Sequence, residues 1–289
     1  MTTGGSRVGW LGLGAMGLPM AARLIANGHP VRAFDPDPGR VASGAVACRT
    51  PAEAAAGVDI VALMVATPAQ GEQALFGPDG AAGQLAAGTQ VIVFSTVGPQ
   101  AVRDWADRIA GAVVDAPVSG GVARAGAGEL VIFVGGPRTP AVDQVLSVLA
   151  TTVTDAGPEP GAGQLVKLVN QLLCGVHIAV AAEALDYAGA LGLDPRMVLM
   201  AVRQGAAGSF MLGDRGQRML DGPPATVRSA VDIFVKDLGL VRDEARRVGS
   251  HTPLADAAAA LFEEAAAAGL GAADDSRVIE PVRRRRLGR

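Results

Sequence analysis

The stretch GAGQLVKLVNQ (161–171) places one amine among amides. Lys167 and Lys236 are the two lysines in the chain, so arginine supplies the other 23 of its 25 basic residues. A guanidinium stays protonated under ordinary conditions, whereas a lysine amine can give and take a proton. A composition tilted this far toward arginine marks both lysines as positions where something besides positive charge is wanted. On a helix, residues three, four and seven apart share a face. Lys167, Asn170, Gln171 and Cys174 therefore form one stripe, an acid–base group beside two amides able to orient it and a substrate oxygen. The alternative reading is a lysine whose stem packs on apolar neighbours while its head reaches an ion pair.

Two further stretches carry chemistry. DAPVSGG (115–121) ends an apolar run in a hydroxyl, Ser119, and two glycines, Gly120 and Gly121, whose backbone N–H groups no side chain shields. Such a concavity suits a small carboxylate; a plain strand-to-loop turn is the alternative. GLGAMG (12–17) is a GxGxxG loop placed after an apolar run and before a helical one, the context that a dinucleotide site requires. Gly12 makes the turn, Gly14 lets backbone approach a pyrophosphate, and Gly17 lets helix pack on strand. Leu13, Ala15 and Met16 complete the loop. Asp35 lies 18 residues beyond Gly17, where a carboxylate accepts hydrogen bonds from both hydroxyls of an adenosine ribose. That carboxylate would repel a 2′-phosphate, which favours NAD; Arg32 and Arg40 lie close enough in sequence to soften the repulsion, so NADP stays open.

The elements that must position these groups follow from periodicity. RVGWLGL (7–13), VRAFD (31–35), DIVALMVA (59–66), QVIVFST (90–96), AVVDAPV (112–118) and LVIFVGG (130–136) read as strands buried on both faces, and PQAVRDWADRIA (99–110) has helical spacing. Strand and helix alternating in this way predict a parallel sheet covered by helices. Strand signals stop near residue 158, at the breaker cluster PEPGAG. From Gln164 to Leu191 one helix of 28 residues is expected, with Gly192 at its end and Pro195 opening the next. Further helices follow, with loops near 205–209, 221–227 and 249–253. The expected architecture is an α/β Rossmann-type dinucleotide-binding domain (1–162) followed by an all-α domain (163–289), the two joined by a long inter-domain helix.

Bulk properties narrow the classes. At 289 residues and 49% apolar composition the chain can bury cores for about two domains. A net charge of −3 gives no global pull toward nucleic acid or an anionic membrane. MTTGGSR lacks the apolar region of a secretory signal, and no uninterrupted apolar run reaches the roughly 20 residues of a membrane span. Cys48 and Cys174 stand far apart without a CxxC, as in a reducing cytoplasmic setting, and His29, His177 and His251 lack metal-ligand spacing. Arg283 to Arg286 read as a solvated, frayed end.

Four motifs in order, GLGAMGLPM (12–20), DAPVSGG (115–121), GAGQLVKLVNQ (161–171) and KDLGL (236–240), resemble those of the β-hydroxyacid dehydrogenase family, the 3-hydroxyisobutyrate dehydrogenase-like enzymes. The resemblance spans essentially the whole chain. It implies NAD(P)-dependent interconversion of a short 3-hydroxy acid and its semialdehyde, with Lys167 catalytic as general acid/base. It makes Ser119, Gly120 and Gly121 the substrate-carboxylate turn and Asn170 a substrate-positioning amide, with Gln171 beside it. It brings Thr67, Pro68, Thr96 and Lys236 to the cofactor, Thr96 on the nicotinamide side. It also implies a homo-oligomer, a dimer or tetramer. Two departures bear on the pocket: Gln171 stands where the family usually shows asparagine, and Ser229 where some relatives carry an aromatic residue. Two rival readings use the same scaffold. One is a reductase of another class, acting on imines, glyoxylate or succinic semialdehyde with NADPH; the other is a non-catalytic dinucleotide-binding module.

Overall fold

The computed structural model describes residues 4–109, 113–224 and 226–288. Residues 110–112, where two expected elements end and begin, and Ala225 in the expected 221–227 loop lie outside that set. The chain forms two compact units, Met1–Lys167 and Leu168–Arg289, the division falling within the helix Ala162–Ala190.

Among its described residues the first unit is built on nine strands: β1 (Val8–Leu11), β2 (Val31–Phe34), β3 (Val46–Ala47), β4 (Ile60–Leu63), β5 (Gln90–Val93), β6 (Val113–Asp115), β7 (Val118–Ser119), β8 (Leu130–Gly135) and β9 (Ala150–Gly157). Their order across the sheet is β3-β2-β1-β4-β5-β6-β8-β7, with β9 also paired to β8. The strands from β3 to β6 run parallel. Successive side chains of a strand point to opposite faces, and both faces are buried here. Trp10, Ile60, Ala62, Ile92 and Phe94 enter one core; Leu11, Val61, Leu63, Val91 and Val93 enter another with Trp105. This two-sided burial is why the strands read as continuous apolar runs. The Rossmann-type architecture stands as read from the sequence.

The sheet departs from a purely parallel one at its far side. β8 runs antiparallel to both β6 and β7. Pro117 has no N–H to give a ladder, so the run expected as one strand, 112–118, breaks between Asp115 and Val118. β9 was not expected. Its sequence, ATTVTDAG, is largely exposed and lacks apolar alternation, so pairing with β8 rather than pattern makes it a strand.

In the second unit, Leu168, Ile178, Ala182 and Leu185 of the long helix share a core with Phe234, Leu238 and Phe262. Phe234 and Phe262 stack with ring centroids 5.0 Å apart. Helices Pro195–Val202, Phe210–Asp221, Val231–Val248, Pro253–Ala265 and Ile279–Leu287 complete it. A Cβ on Gly175 would lie 2.8 Å from the Leu238 side chain, so glycine is what allows the long helix and Val231–Val248 to pack this closely.

Two expectations are corrected here. Arg283–Arg286 are not a frayed end: they lie in a helix, where Arg283 pairs with Glu280, Arg285 with Glu264, and Arg286 with Asp186 at 2.9 Å. By length and composition alone, Ala162–Ala190 is long and apolar enough to cross a membrane, with an 18-residue window of mean hydropathy 1.7. Averaging over a window absorbs the isolated polar residues that interrupt a simple apolar run. A core helix passes the same test, and this window is 44% buried.

Candidate active site

The crossover that places β2 on one side of β1 and β4 on the other makes a crevice at the carboxyl ends of the strands, the usual ligand position in such sheets. The Gly12–Gly17 loop occupies it. Gly12 has φ +99°, and a Cβ there would sit 2.3 Å from the carbonyl oxygen of Met64, the residue after β4. At Gly17 a Cβ would fall 2.0 Å from the Gly12 oxygen, so helix Gly17–Ala26 can start against the turn only without a side chain. Trp10 Nε1 donates to the same oxygen at 2.8 Å. Gly14 differs: the nearest atom to a Cβ is Arg40 Nη1 at 3.8 Å. Two glycines thus close the loop on the protein, and the middle one leaves its backbone open to a ligand. That is a cradle for a dinucleotide phosphate at a helix N-terminus.

Asp35 follows β2. Its side chain is 5% exposed and fixed on both oxygens: Leu13 N donates to Oδ2 at 2.7 Å and Asp37 N to Oδ1 at 2.9 Å. Arg40 Nη1 lies 3.8 Å from Oδ2. The carboxylate therefore latches the phosphate loop, and each oxygen keeps acceptor capacity for a ribose hydroxyl. Beside it, a cavity of about 390 Å³ is lined by Leu13, Phe34, Asp35, Pro38, Arg40 and Arg49 among others. Thr67 and Pro68 follow β4, where Thr67 caps helix Pro68–Phe76 by accepting from Gln70 N at 3.2 Å. Thr96 follows β5 and is half-buried. Gly12, Asp35, Thr67 and Thr96 thus all stand beyond the carboxyl ends of parallel strands, at one edge of the sheet.

The first turn of the long helix is locked to that edge by residues the sequence reading passed over. Asp115 ends β6 fully buried; Gly161 N donates to its Oδ1 at 2.8 Å and Gln164 N to its Oδ2 at 2.7 Å. Burial pushes the Asp115 carboxyl up to about 6, against the opposing pull of those two hydrogen bonds. Gln164, also fully buried, accepts from Val97 N (3.0 Å) and Gly98 N (3.1 Å) and donates to the Ser95 oxygen at 2.9 Å. A Cβ on Gly163 would lie 2.4 Å from the Phe133 oxygen. The GAGQ segment is therefore a docking piece, and Lys167, 6% exposed, lies one turn further along the same helix. The signals for this were present: a carboxylate before APVSGG and a glutamine three residues before the lysine. Ser119 closes β7, and Gly120 (φ +139°) and Gly121 (φ +77°) turn the chain into helix Gly121–Ala127.

In the second unit a series of side chains joins the remaining candidates. Asn170 Nδ2 donates to Gln171 Oε1 at 2.8 Å, and Gln171 Nε2 donates to Asp237 Oδ2. Asp237 Oδ1 lies 2.8 Å from Lys236 Nζ. Asn170 Nδ2 also lies 3.4 Å from Cys174 Sγ. Gln171 and Asp237 are buried, so the series is not a surface arrangement. Asp237 carried no role in the sequence reading beyond its place beside Lys236. Among the described residues no group of three or more His, Cys, Asp or Glu is placed to hold a metal, and neither cysteine is in a disulfide.

A phosphate cradle at the strand ends of a Rossmann-type unit, followed by a helical unit, defines a dinucleotide-dependent oxidoreductase. Residues 7–157 match the model for the NAD binding domain of 6-phosphogluconate dehydrogenase, and residues 161–282 the model for the NAD-binding region of NADP-dependent 3-hydroxyisobutyrate dehydrogenase. The chain is 42% identical over 282 residues to L-threonate dehydrogenase of Cupriavidus necator, covering 94% of this chain and 95% of that one. A crystal structure of 3-hydroxyisobutyrate dehydrogenase from Salmonella typhimurium superposes with a TM-score of 0.88 at 38% identity, covering 95% of this chain and 99% of that one. The Mycobacterium tuberculosis 3-hydroxyisobutyrate dehydrogenase, solved with L-serine, gives 0.83 at 29% identity over 96% and 99%. The chain belongs to the β-hydroxyacid dehydrogenase family and is an NAD(P)-dependent hydroxyacid dehydrogenase.

Proposed function

We propose that the chain oxidises a short polyhydroxy acid of the L-threonate class with NAD as the preferred cofactor, Lys167 serving as general acid/base. The observation that carries the chemistry is the Asp115–Gln164 lock, which holds the Lys167 turn of the helix against the loop bearing Thr96. The Gly12–Gly17 loop and Asp35 would hold the dinucleotide. Bound NAD(P) supplies the hydride acceptor. As the substrate C–H bond breaks, Lys167 Nζ takes the hydroxyl proton; in the reverse direction the ammonium returns it. Lys167 gives that proton up to water before the next turnover. The Ser119–Gly121 turn anchors the carboxylate through a hydroxyl and backbone N–H groups, and Asn170 receives a polar group further along the substrate. The threonate assignment is supported by the identity to the Cupriavidus necator enzyme across nearly the full length of both chains. A second reading, a simple 3-hydroxy acid such as 3-hydroxyisobutyrate oxidised to its semialdehyde, is favoured by the likeness to the Salmonella typhimurium structure.

The test is NAD(P)H absorbance with L-threonate, 3-hydroxyisobutyrate and L-serine, each with NAD and with NADP. Highest kcat/KM for L-threonate with NAD is expected. Preference for 3-hydroxyisobutyrate selects the second reading, and no turnover of any hydroxy acid overturns both. We place the homo-oligomer contact on the exposed face of the long helix, where Val169, Leu173, Val180 and Tyr187 lie opposite the residues in the core. Sedimentation of Leu173→Glu, expected to yield a smaller species, checks this.

A further inference from the structure

An amide side chain has two chemically opposite ends, and its neighbours decide which end faces a ligand. A carboxylate can only accept. Asp237 Oδ2 therefore requires the N–H end of Gln171, and the structure has Nε2 there. That commitment turns Gln171 Oε1, an acceptor, toward Asn170, which must answer with its own N–H end; Nδ2 does so at 2.8 Å. The same nitrogen faces Cys174 Sγ. Both contacts of Asn170 thus consume Nδ2, and its remaining polar atom is the carbonyl oxygen Oδ1. Lys236 Nζ lies 2.8 Å from the other Asp237 oxygen, at the root of the series. Gly175 allows the helices to approach closely enough for Gln171 to span them. We propose that Gln171 is a positioning residue that fixes Asn170 with its carbonyl oxygen outward, so that this subsite selects substrates carrying a hydrogen-bond donor, a hydroxyl or ammonium, over analogues carrying hydrogen or an acceptor there.

This rests on the proposed role of Asn170 in receiving substrate. A glutamine is needed at 171 because its length lets one amide meet both Asp237 and Asn170. A buried, oriented acceptor left without a donor is costly, so sites of this kind reject analogues lacking the donor. The orientation is also what separates an acid with a second hydroxyl from its deoxy counterpart.

The experiment compares the full-length wild type with Gln171→Met, which keeps volume and removes both bonds, and Asp237→Asn, which keeps shape and removes the acceptor-only constraint. Each is assayed on L-threonate and on its deoxy analogues, 3,4-dihydroxybutyrate, which lacks the 2-hydroxyl, and 3-hydroxybutyrate, which lacks the 2- and 4-hydroxyls. The expected result is a KM for L-threonate raised about tenfold in both variants with the deoxy substrates changed less than about twofold, so that discrimination collapses. An unchanged ratio in both variants overturns the proposal. A second measurement does not need turnover: in ¹⁵N-asparagine-labelled protein the Asn170 side-chain NH₂ should exchange with water at least about tenfold more slowly than surface asparagine amides, and Gln171→Met should abolish the difference. A fast-exchanging Asn170 amide in the wild type overturns the relay. A slow one in a protein that oxidises no hydroxy acid leaves the relay standing and removes the proposed function instead.

Discussion

The Gly12–Gly17 loop offers a ligand backbone, whereas the Asn170–Gln171–Asp237 series offers side chains. In the loop the informative residues are the ones with no side chain. Gly12 and Gly17 are excluded from being anything else by carbonyl oxygens 2.3 and 2.0 Å from where a Cβ would be, and Gly14 is left clear. In the relay every member is polar, buried or half-buried, and each is oriented by the next. A site made of backbone is specified by spacing along the chain. A site made of side chains is specified by partners 66 residues away, as Gln171 and Asp237 are. The first kind suits a cofactor's phosphates; the second kind can be tuned by one substitution, and the proposal above places Gln171 at such a position.

The largest expected effect comes from the amine that neither arrangement supplies. Lys167→Arg keeps positive charge and removes the exchangeable proton, and kcat should fall by about 10² to 10⁴ with NADH affinity by fluorescence titration nearly unchanged. Turnover near wild type would take Lys167 out of the acid–base role.

Next, two glycine substitutions break the loop in different ways. Gly17→Ala forces a Cβ into the Gly12 carbonyl and should cost about 1–3 kcal/mol of stability, seen as a lower Tm. Gly14→Ala meets nothing within 3.8 Å and should leave Tm in place while weakening NAD binding about tenfold. Equal Tm losses would mean that the middle glycine also serves packing.

Asp115 sharpens the comparison, since it anchors the helix that carries Lys167 with a side chain on backbone N–H groups. Its carboxyl is pushed up to about 6 by burial, whereas in the unfolded chain it ionises near 3.9. Between those values the native state holds the proton more tightly, so this group's contribution to stability is full at acid pH and falls as pH rises through about 4 to 6. The change is about 1.4 kcal/mol per unit, or about 3 kcal/mol across the window. Asp115→Asn should remove that part of the pH dependence in urea melts at a series of pH values. The same variant should lower stability at pH 8 by about 1–3 kcal/mol, because an amide can accept only one of the two N–H groups through its oxygen. The smallest effect is expected at Asp35: Asp35→Ala should shift the NAD/NADP ratio of kcat/KM toward NADP by about tenfold. An unmoved ratio would confine Asp35 to latching Leu13 N.

Legibility in the sequence followed the range of the interactions. β1, β2, β4, β5 and β6 were readable because burial on both faces leaves an unbroken apolar run, whereas the exposed two-residue β3 was not. The phosphate loop was readable because its glycines meet steric conditions set within a few residues. β9 was not, since its exposed, threonine-rich residues become a strand only by pairing with β8. Arg283–Arg286 read as a loose end because their partners, Asp186, Glu264 and Glu280, are in part a hundred residues away. Asp115 and Gln164 stood within motifs that had already been singled out, yet their task was invisible without the contact they make 49 residues apart in sequence.

By itself the sequence determined the backbone: where glycine had to be, which runs would be buried, where the long helix would run, and that one amine would sit on an amide-bearing face. These are consequences of sterics, periodicity and residue chemistry that act over one turn or one strand. The tertiary structure alone decided how the polar groups point. A carboxylate accepts and an amide can do either, so which end of Asn170 is presented depends on Gln171, and which end of Gln171 depends on an aspartate in another helix.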